Sequence, residues 1–314
     1  SAARYAQEPD FSEWCHRLEI FGLDLRHTPS VEAFCTQLLR THDRLDFIIN
    51  NACQTVRRPP EFYQHMMAAE SALKEAPPAL KSVLGSYVEA REQQSLPDPS
   101  LVPGNVIGAA LSTTSSSAEL SQIRLLPEEF LAQDHLFPQG RLDQDMQQVD
   151  LRGRNSWRLQ LAEVSSVELL EVQLVNAVAP FILNARLKAL MLKTPGADKH
   201  IVNVSAVEGQ FYRNLKTTRH PHTNMAKAAL NMMTRTAATD YHNDGIHMNS
   251  VDTGWVTDED PIEIAERKTR ESRFHPPLDV VDGAARIVDP IIDGINSRMH
   301  VWGKFLKDYK PTDW

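Results

Sequence analysis

Three short apolar runs limit what this chain can build. HIVNVS (200–205) and IHMNSV (246–251) read as strands, and LDFIIN (45–50) is apolar through Phe47, Ile48 and Ile49 rather than at alternate positions. A strand of that kind hides both faces, which is the habit of a parallel sheet covered by helices on each side. Helical patterns lie between the runs. Thr28-Pro29 supplies an N-cap and a first-turn proline to a helix whose Val31, Phe34, Cys35, Leu38 and Leu39 share a face. Leu169, Val172, Val175, Val178, Phe181 and Ile182 recur at three- and four-residue steps, so 165–192 reads as a long, largely buried helix. A further helix spans 222–245 with Gly245 as C-cap, and another covers 278–295. LEIFGLDL (18–25) is rich in strand formers and predicts an earlier strand, and VWGKFL (301–306) a last one. Strands alternating with helices give a doubly wound α/β fold.

From 54 to about 165 the pattern loosens. Pro-Pro pairs at 59–60 and 77–78, PDPSLVPG at 97–104 and STTSSS at 112–117 punctuate charged helical pieces. The segment reads as an insertion on the surface of a single domain covering 1–314, with no internal repeat.

Charge excludes one class of partner. The chain has 33 Lys+Arg against 41 Asp+Glu, a net charge of −8, whereas a polyanion needs a concentrated cationic surface. Nucleic acid is therefore not expected. No apolar run is judged to reach the ~20 residues that cross a bilayer, and SAARYAQEPDFSEW lacks the basic and apolar regions of a leader. Cys15, Cys35 and Cys53 are odd in number and without CxxC spacing, which opposes a disulfide framework or thiolate metal site. A cytoplasmic setting is the expectation.

The pieces LDL (23–25), IINNA (48–52), VNAVAP (175–180), IVNVSAVEG (201–209), AKAAL (226–230) and VDTGWVT (251–257), in this order, resemble the short-chain dehydrogenase/reductase family. The resemblance covers 18–53 and 166–257. It implies a Rossmann-like sheet with NAD or NADP across its carboxyl ends. Asp24 would then accept from the adenine amino group, with Leu25 as an apolar and backbone contact. Asn50, Asn51 and Ala52 would line the adenosine ribose, where Cys53 stands in place of a family glycine. Lys227 would hold the nicotinamide ribose hydroxyls, and Asn176 would support a water in the proton relay. Gly254 and Val256 would hold the carboxamide, with Thr253 at the position of a family proline. The charged stretch 259–277 falls where relatives carry a substrate lid, and it reads equally as a solvated helix. Each residue also has a plainer reading: Asp24 a helix-entry cap, Asn50-Asn51 turn residues, Asn176 an interior amide, Lys227 a solvated lysine.

The relay departs from the family. Hydride exchange with a carbonyl needs a proton donor, which relatives supply as tyrosine four residues before the lysine. Here that position is Thr223, a far weaker acid. The usual catalytic serine position is Ala206, and Ser205 could serve only if the strand end were shifted. Tyr212, His220 and His222, in the loop 208–222, are the replacement acids to consider. As a metal site, His-Pro-His lacks a third ligand.

The family's glycine-rich phosphate turn is also missing before Leu18, and Gly104 with Gly108 follow no strand. The run 18–25 thus looks like the family's third strand, left to lose its partners or to pair with 45–50. The expected architecture is an amino-terminally incomplete Rossmann-like parallel sheet with a long insertion. Two functions follow: NAD(P)-dependent oxidation or reduction of a small alcohol or carbonyl substrate, or a catalytically silent protein that binds nucleotide or a protein partner. A third outcome is a fragment without function of its own. The resemblance adds a homo-oligomer built through the 166–192 and 222–242 helices.

Overall fold

The computed structural model describes residues 2–72, 77–84, 117–142, 148–212, 216–273 and 275–314. PDPSLVPG, all but the last residue of STTSSS, and the Gly104–Gly108 pair lie outside the described residues. The chain divides into two compact units, one of Ser1–Asp24 with Arg58–Gly140, the other of Leu25–Arg57 with Arg141–Trp314.

The first unit holds short helices at Ala2–Tyr5, Phe11–Trp14 and Pro78–Lys81 and a longer one at Pro60–Ala72. A small apolar cluster of Ala2, Phe11 and Val83, flanked by Trp14, Ile20 and Leu80, gathers part of it. Residues 18–25 do not form the expected strand; a single parallel bridge joins Ile20 to Leu84. Strand propensity expresses packing against neighbours, and among the described residues no strand forms a ladder with the run.

The second unit is the α/β domain. Its elements are α1 (Thr28–Thr41), β1 (Phe47–Asn50), α2 (Ser166–Gln173), α3 (Ala179–Lys193), β2 (Lys199–Ser205), α4 (Pro221–Asn243), β3 (Ile246–Asp252), α5 (Ile262–Ser272), α6 (Val280–Ser297), β4 (Phe305–Lys307) and β5 (Lys310–Thr312). The strands lie in the order β1-β2-β3-β4-β5. The first three pairings are parallel and β4–β5 is antiparallel.

Strand parity explains the two cores. Ile48, Ile201, Ile246 and Met248 point to one face and pack with Cys35 of α1, Leu187 and Met191 of α3, and Ala238 and Tyr241 of α4. Val202, Val204 and Val251 point to the other, against Ile287 and Ile291 of α6 and Leu306. Helices therefore cover both faces, the doubly wound arrangement expected from strands alternating with helices. On β1 the second face stays open, so Phe47 and Ile49 are 40% and 41% exposed. Among the described residues β1 pairs only with β2.

Helix ends differ in detail from the sequence expectation. α1 begins at Thr28 itself with His27 at the N-cap, and no side chain caps it. Ser165 does cap α2, its hydroxyl accepting from the Glu168 N–H at 3.1 Å. Ser165→Ala should cost about 1 kcal/mol of unfolding free energy, as urea denaturation would show. Asp244 caps α4, and Gly245 follows at φ +70°, the left-handed position that ends a helix.

Contrary to the expectation about apolar runs, Ser166–Lys193 is long and apolar enough by length and composition to cross a membrane, with a mean hydropathy of 1.5 over its best window. Here it is a helix of the domain, interrupted by a π-helical turn at Leu174–Val178, and Leu187, Leu190 and Met191 are buried.

Candidate functional site

The site forms where β2 and β3 end. In register, Ser205 pairs with Asp252, so the chain leaves both strands at one level. α4 packs alongside both strands and brings Thr223 and Lys227 there, one helical turn apart on one face. The Lys227 side chain is buried, and its Nζ donates to the Val204 carbonyl at 2.9 Å. An ammonium has three donors, and one is spent on this bond. Thr223 and Ser205 are buried at 2% and 3% exposure, and neither hydroxyl has a hydrogen-bond partner among the described residues. Unpaired buried hydroxyls cost free energy, so each is an atom that a bound polar group could satisfy. The Asp252 carboxylate accepts from Lys307 Nζ at 3.2 Å and from the Val207 N–H at 3.3 Å, which ties the two strand ends to β4.

Asn176 sits in the π-helical turn, a distortion often found at functional positions. Its side chain clamps the loop after β1: Oδ1 accepts from the Gln54 N–H at 2.7 Å and Nδ2 donates to the Gln54 carbonyl at 2.9 Å. Asn50 turns into the domain. Its Nδ2 donates to Asn203 Oδ1 at 2.8 Å and Asn184 Oδ1 at 2.9 Å. Asn203 Nδ2 in turn donates to Thr234 Oγ1 at 2.9 Å, completing a buried polar layer across the strands. Asn51 and Ala52 are exposed beyond the strand end. Asp24 belongs to the first unit and Leu25 to the second, both in irregular chain rather than at a strand end.

After β3, Gly254 takes φ +77°, and a Cβ there would lie 2.5 Å from Leu278 Cδ1. Glycine is therefore favoured by the backbone, while the Leu278 methyl would have to shift to admit a side chain. Val256 is half-buried, its Cγ2 only 3.1 Å from where a Cβ on Gly283 would be. The segment expected as a lid is α5, whose Lys268 pairs with Asp258 at 2.9 Å and also with Asp260.

Of the three replacement acids, Tyr212 is 87% exposed. His220 stacks on Trp157 with ring centroids 3.8 Å apart and shares a hydrogen bond with Asn224. Burial draws its pKa down, partly offset by Asn224. His222 is buried, with Nε2 3.6 Å from a Glu168 carboxylate oxygen. Burial pushes the Glu168 carboxyl up, but the nearby His222 ring and Ser156 hydroxyl, with the charge of Arg57, outweigh it and hold it below the usual carboxylate range.

Sequence reasoning missed this part of α2. Glu168 and Glu171 are both buried, and Glu171 accepts from Arg57 at 2.8 Å, Arg26 at 3.0 Å and Gln54 at 3.2 Å. Two acids three residues apart in the otherwise apolar SSVELLEVQ were the available signal, since a carboxylate on a buried stripe demands partners.

Residues 152–277 match the family model described as enoyl-(acyl carrier protein) reductase. This segment is similar to the short-chain dehydrogenase/reductase superfamily. A relative from Acanthamoeba polyphaga mimivirus, the uncharacterized protein R665, is 28% identical over 315 residues, covering 96% of this chain and 57% of its own length. The chain thus spans little more than half of that relative. Among solved structures, the carbonyl reductase Sniffer of D. melanogaster is 24% identical over 50% of this chain and 61% of its own, with a TM-score of 0.39. A short-chain dehydrogenase from Streptomyces avermitilis is 14% identical over 91% of this chain and 69% of its own, with a TM-score of 0.44.

Against a nicotinamide nucleotide, the superfamily's cofactor, the residues fit at one end. Lys227 with spare donors, and the unpaired hydroxyls of Ser205 and Thr223, suit a ribose and its substituent. At the pyrophosphate end no glycine-rich turn between a strand and a helix is built by the described residues.

Proposed function

We propose that this domain forms the nicotinamide end of an NAD(P) site of the short-chain dehydrogenase/reductase type, binds the nucleotide, and does not complete proton-coupled hydride transfer with its own relay. One observation carries this reading: Lys227 is drawn under the end of β2 by the Val204 carbonyl, while the residue one turn before it is a threonine whose buried hydroxyl is unpaired. The cation that orients a ribose is in place, and the acid is not. The cofactor, when bound, would supply or accept the hydride.

The expectation that the fold is amino-terminally incomplete stays with this reading. The open edge of β1 and its exposed Phe47 and Ile49 are what a further parallel strand and its helix would cover. A second copy is the other partner, through α2–α3 and α4, where Leu170, Phe181 and Met225 are each more than half exposed.

Restoring the acid tests the reading. Thr223→Tyr should create NADPH-dependent turnover on a panel of small aldehydes and ketones where the parent chain shows none. It should also cost about 1–3 kcal/mol of stability by overpacking, because Thr223 is buried. A folded variant that binds nucleotide and still turns nothing over would contradict the missing acid as the cause.

The second reading is an active oxidoreductase on an alcohol or carbonyl substrate, favoured by the buried His222–Glu168 pair at the start of α4. Turnover by the parent chain that His222→Gln abolishes would select it.

A further inference from the structure

On a flank of α4 lies a cavity of about 760 Å³ that the reading above does not use. It falls in the size range of small-molecule sites. Its walls are aromatic: Phe211 and Tyr212, 73% and 87% exposed, with Trp314. Trp314 is held by ring contact with Phe305 of the sheet, and the adjacent Asp313 carbonyl accepts from Gln210 Nε2 at 2.7 Å. Two charged side chains line the same space, Arg235 of α4 and Asp313. Neither makes an ion pair among the described residues, although each stands within a lined cavity with the other. At the floor, Gly209 meets the helix so closely that a Cβ would lie 2.7 Å from the Lys227 backbone carbon and 2.8 Å from Asn231 Nδ2. The Asn231 amide is buried, and neither its oxygen nor its nitrogen has a hydrogen-bond partner among the described residues.

Flat rings favour a flat ligand by stacking, and an uncommitted guanidinium favours a carboxylate by paired, charge-assisted hydrogen bonds. A carboxylate on the cavity wall disfavours a second anionic group and favours a donor at the far end of the ligand. We propose that this cavity is a second binding site, for a small aromatic carboxylate that carries a hydroxyl or amino donor, with Arg235 on its carboxylate, Asp313 on its donor and Phe211, Tyr212 and Trp314 about its ring. The inference does not depend on nucleotide binding, because none of the residues assigned to that site lines the cavity.

The test uses 6-hydroxy-2-naphthoate as probe and 2-naphthol as its uncharged counterpart, each titrated calorimetrically into the whole chain. One saturable site is expected, with the naphthoate about tenfold tighter than the naphthol, the worth of one charge-assisted contact. Arg235→Gln, a change at an exposed residue, should bring the two affinities together. Phe211→Ser should weaken both alike, and NADPH should displace neither. Equal affinities in the parent chain, indifference to Arg235→Gln, displacement by NADPH, or no saturable binding would each overturn the assignment.

Discussion

Glu171→Ala is expected to cost about 3–5 kcal/mol of unfolding free energy, the usual penalty for stripping one partner from a buried ion pair. The Arg57 and Glu171 side chains are 8% and 7% exposed, and Nε lies 2.8 Å from the carboxylate. Without that carboxylate the Arg57 guanidinium stays in the interior without its bonded counter-charge, and Arg26 loses the oxygen that it reaches at 3.0 Å. Most of the loss is the desolvation of a buried cation rather than the worth of the pair itself. Glu171→Gln keeps an acceptor for the guanidinium and should recover part of the loss. The effect should also reach the candidate site, since Gln54 bonds Glu171 through its side chain and Asn176 through its backbone. Urea denaturation of the three proteins checks it: a change below ~1 kcal/mol for alanine, the scale of an exposed pair, would show that water reaches Arg57.

The second large effect is acid lability above the ordinary carboxylate range. His200 and His247 start neighbouring strands with ring centroids 5.2 Å apart, and His300 stacks on His247 at 4.1 Å. His242 lies beside His247, and stacks on Trp302 at 4.1 Å. His200 is wholly buried, and neither ring nitrogen has a partner among the described residues. Gly294 makes the packing feasible, because a Cβ there would lie 2.6 Å from His300 Nδ1 and 2.9 Å from His200 Cε1. Burial, and then the charges of the neighbouring histidines, push His200 and His247 down to about 4, with Asp198 pulling weakly the other way. The unfolded chain takes these protons near 6.5 and the folded chain refuses them until about 4. Stability is therefore full above pH 6.5 and falls as the pH drops toward 4, by on the order of 3 kcal/mol for one fully shifted histidine. Paired carboxylates such as Asp46, held low by Arg44, contribute their loss only further into acid. His200→Leu should flatten the slope of unfolding free energy between pH 6.5 and 4 by about one proton. An unchanged slope would place the titrating groups elsewhere.

The sheet was legible because short strand-forming runs alternate with helical patterns along 45–251, the order of a parallel sheet covered by helices on both faces. The same reasoning failed at 18–25, where a similar run makes, among the described residues, the Ile20–Leu84 bridge alone. It also missed β5, whose residues Lys310–Thr312 are all exposed and include a proline tolerated on an edge strand. Around the site, helical spacing placed Thr223 and Lys227 on one face of α4, as the structure has them. Spacing said nothing of Glu168 against His222 or Glu171 against Arg57. Those pairs join distant segments, and their partners exist only once α2 is docked. Asn50 illustrates the remaining gap: the motif gave its place at the end of β1, while its amide is taken up by Asn203 and Asn184, neighbours that only the fold supplies.

The most direct test of the central claim is a fluorescence titration of NADH and NADPH with the chain and its Lys227→Ala variant, after circular dichroism has shown both to be folded. Saturable binding by the parent chain, weakened at least about tenfold in the variant as one charge-assisted contact is lost, is the expected result. Equal affinity in the two proteins, or no saturation by the parent, would contradict it.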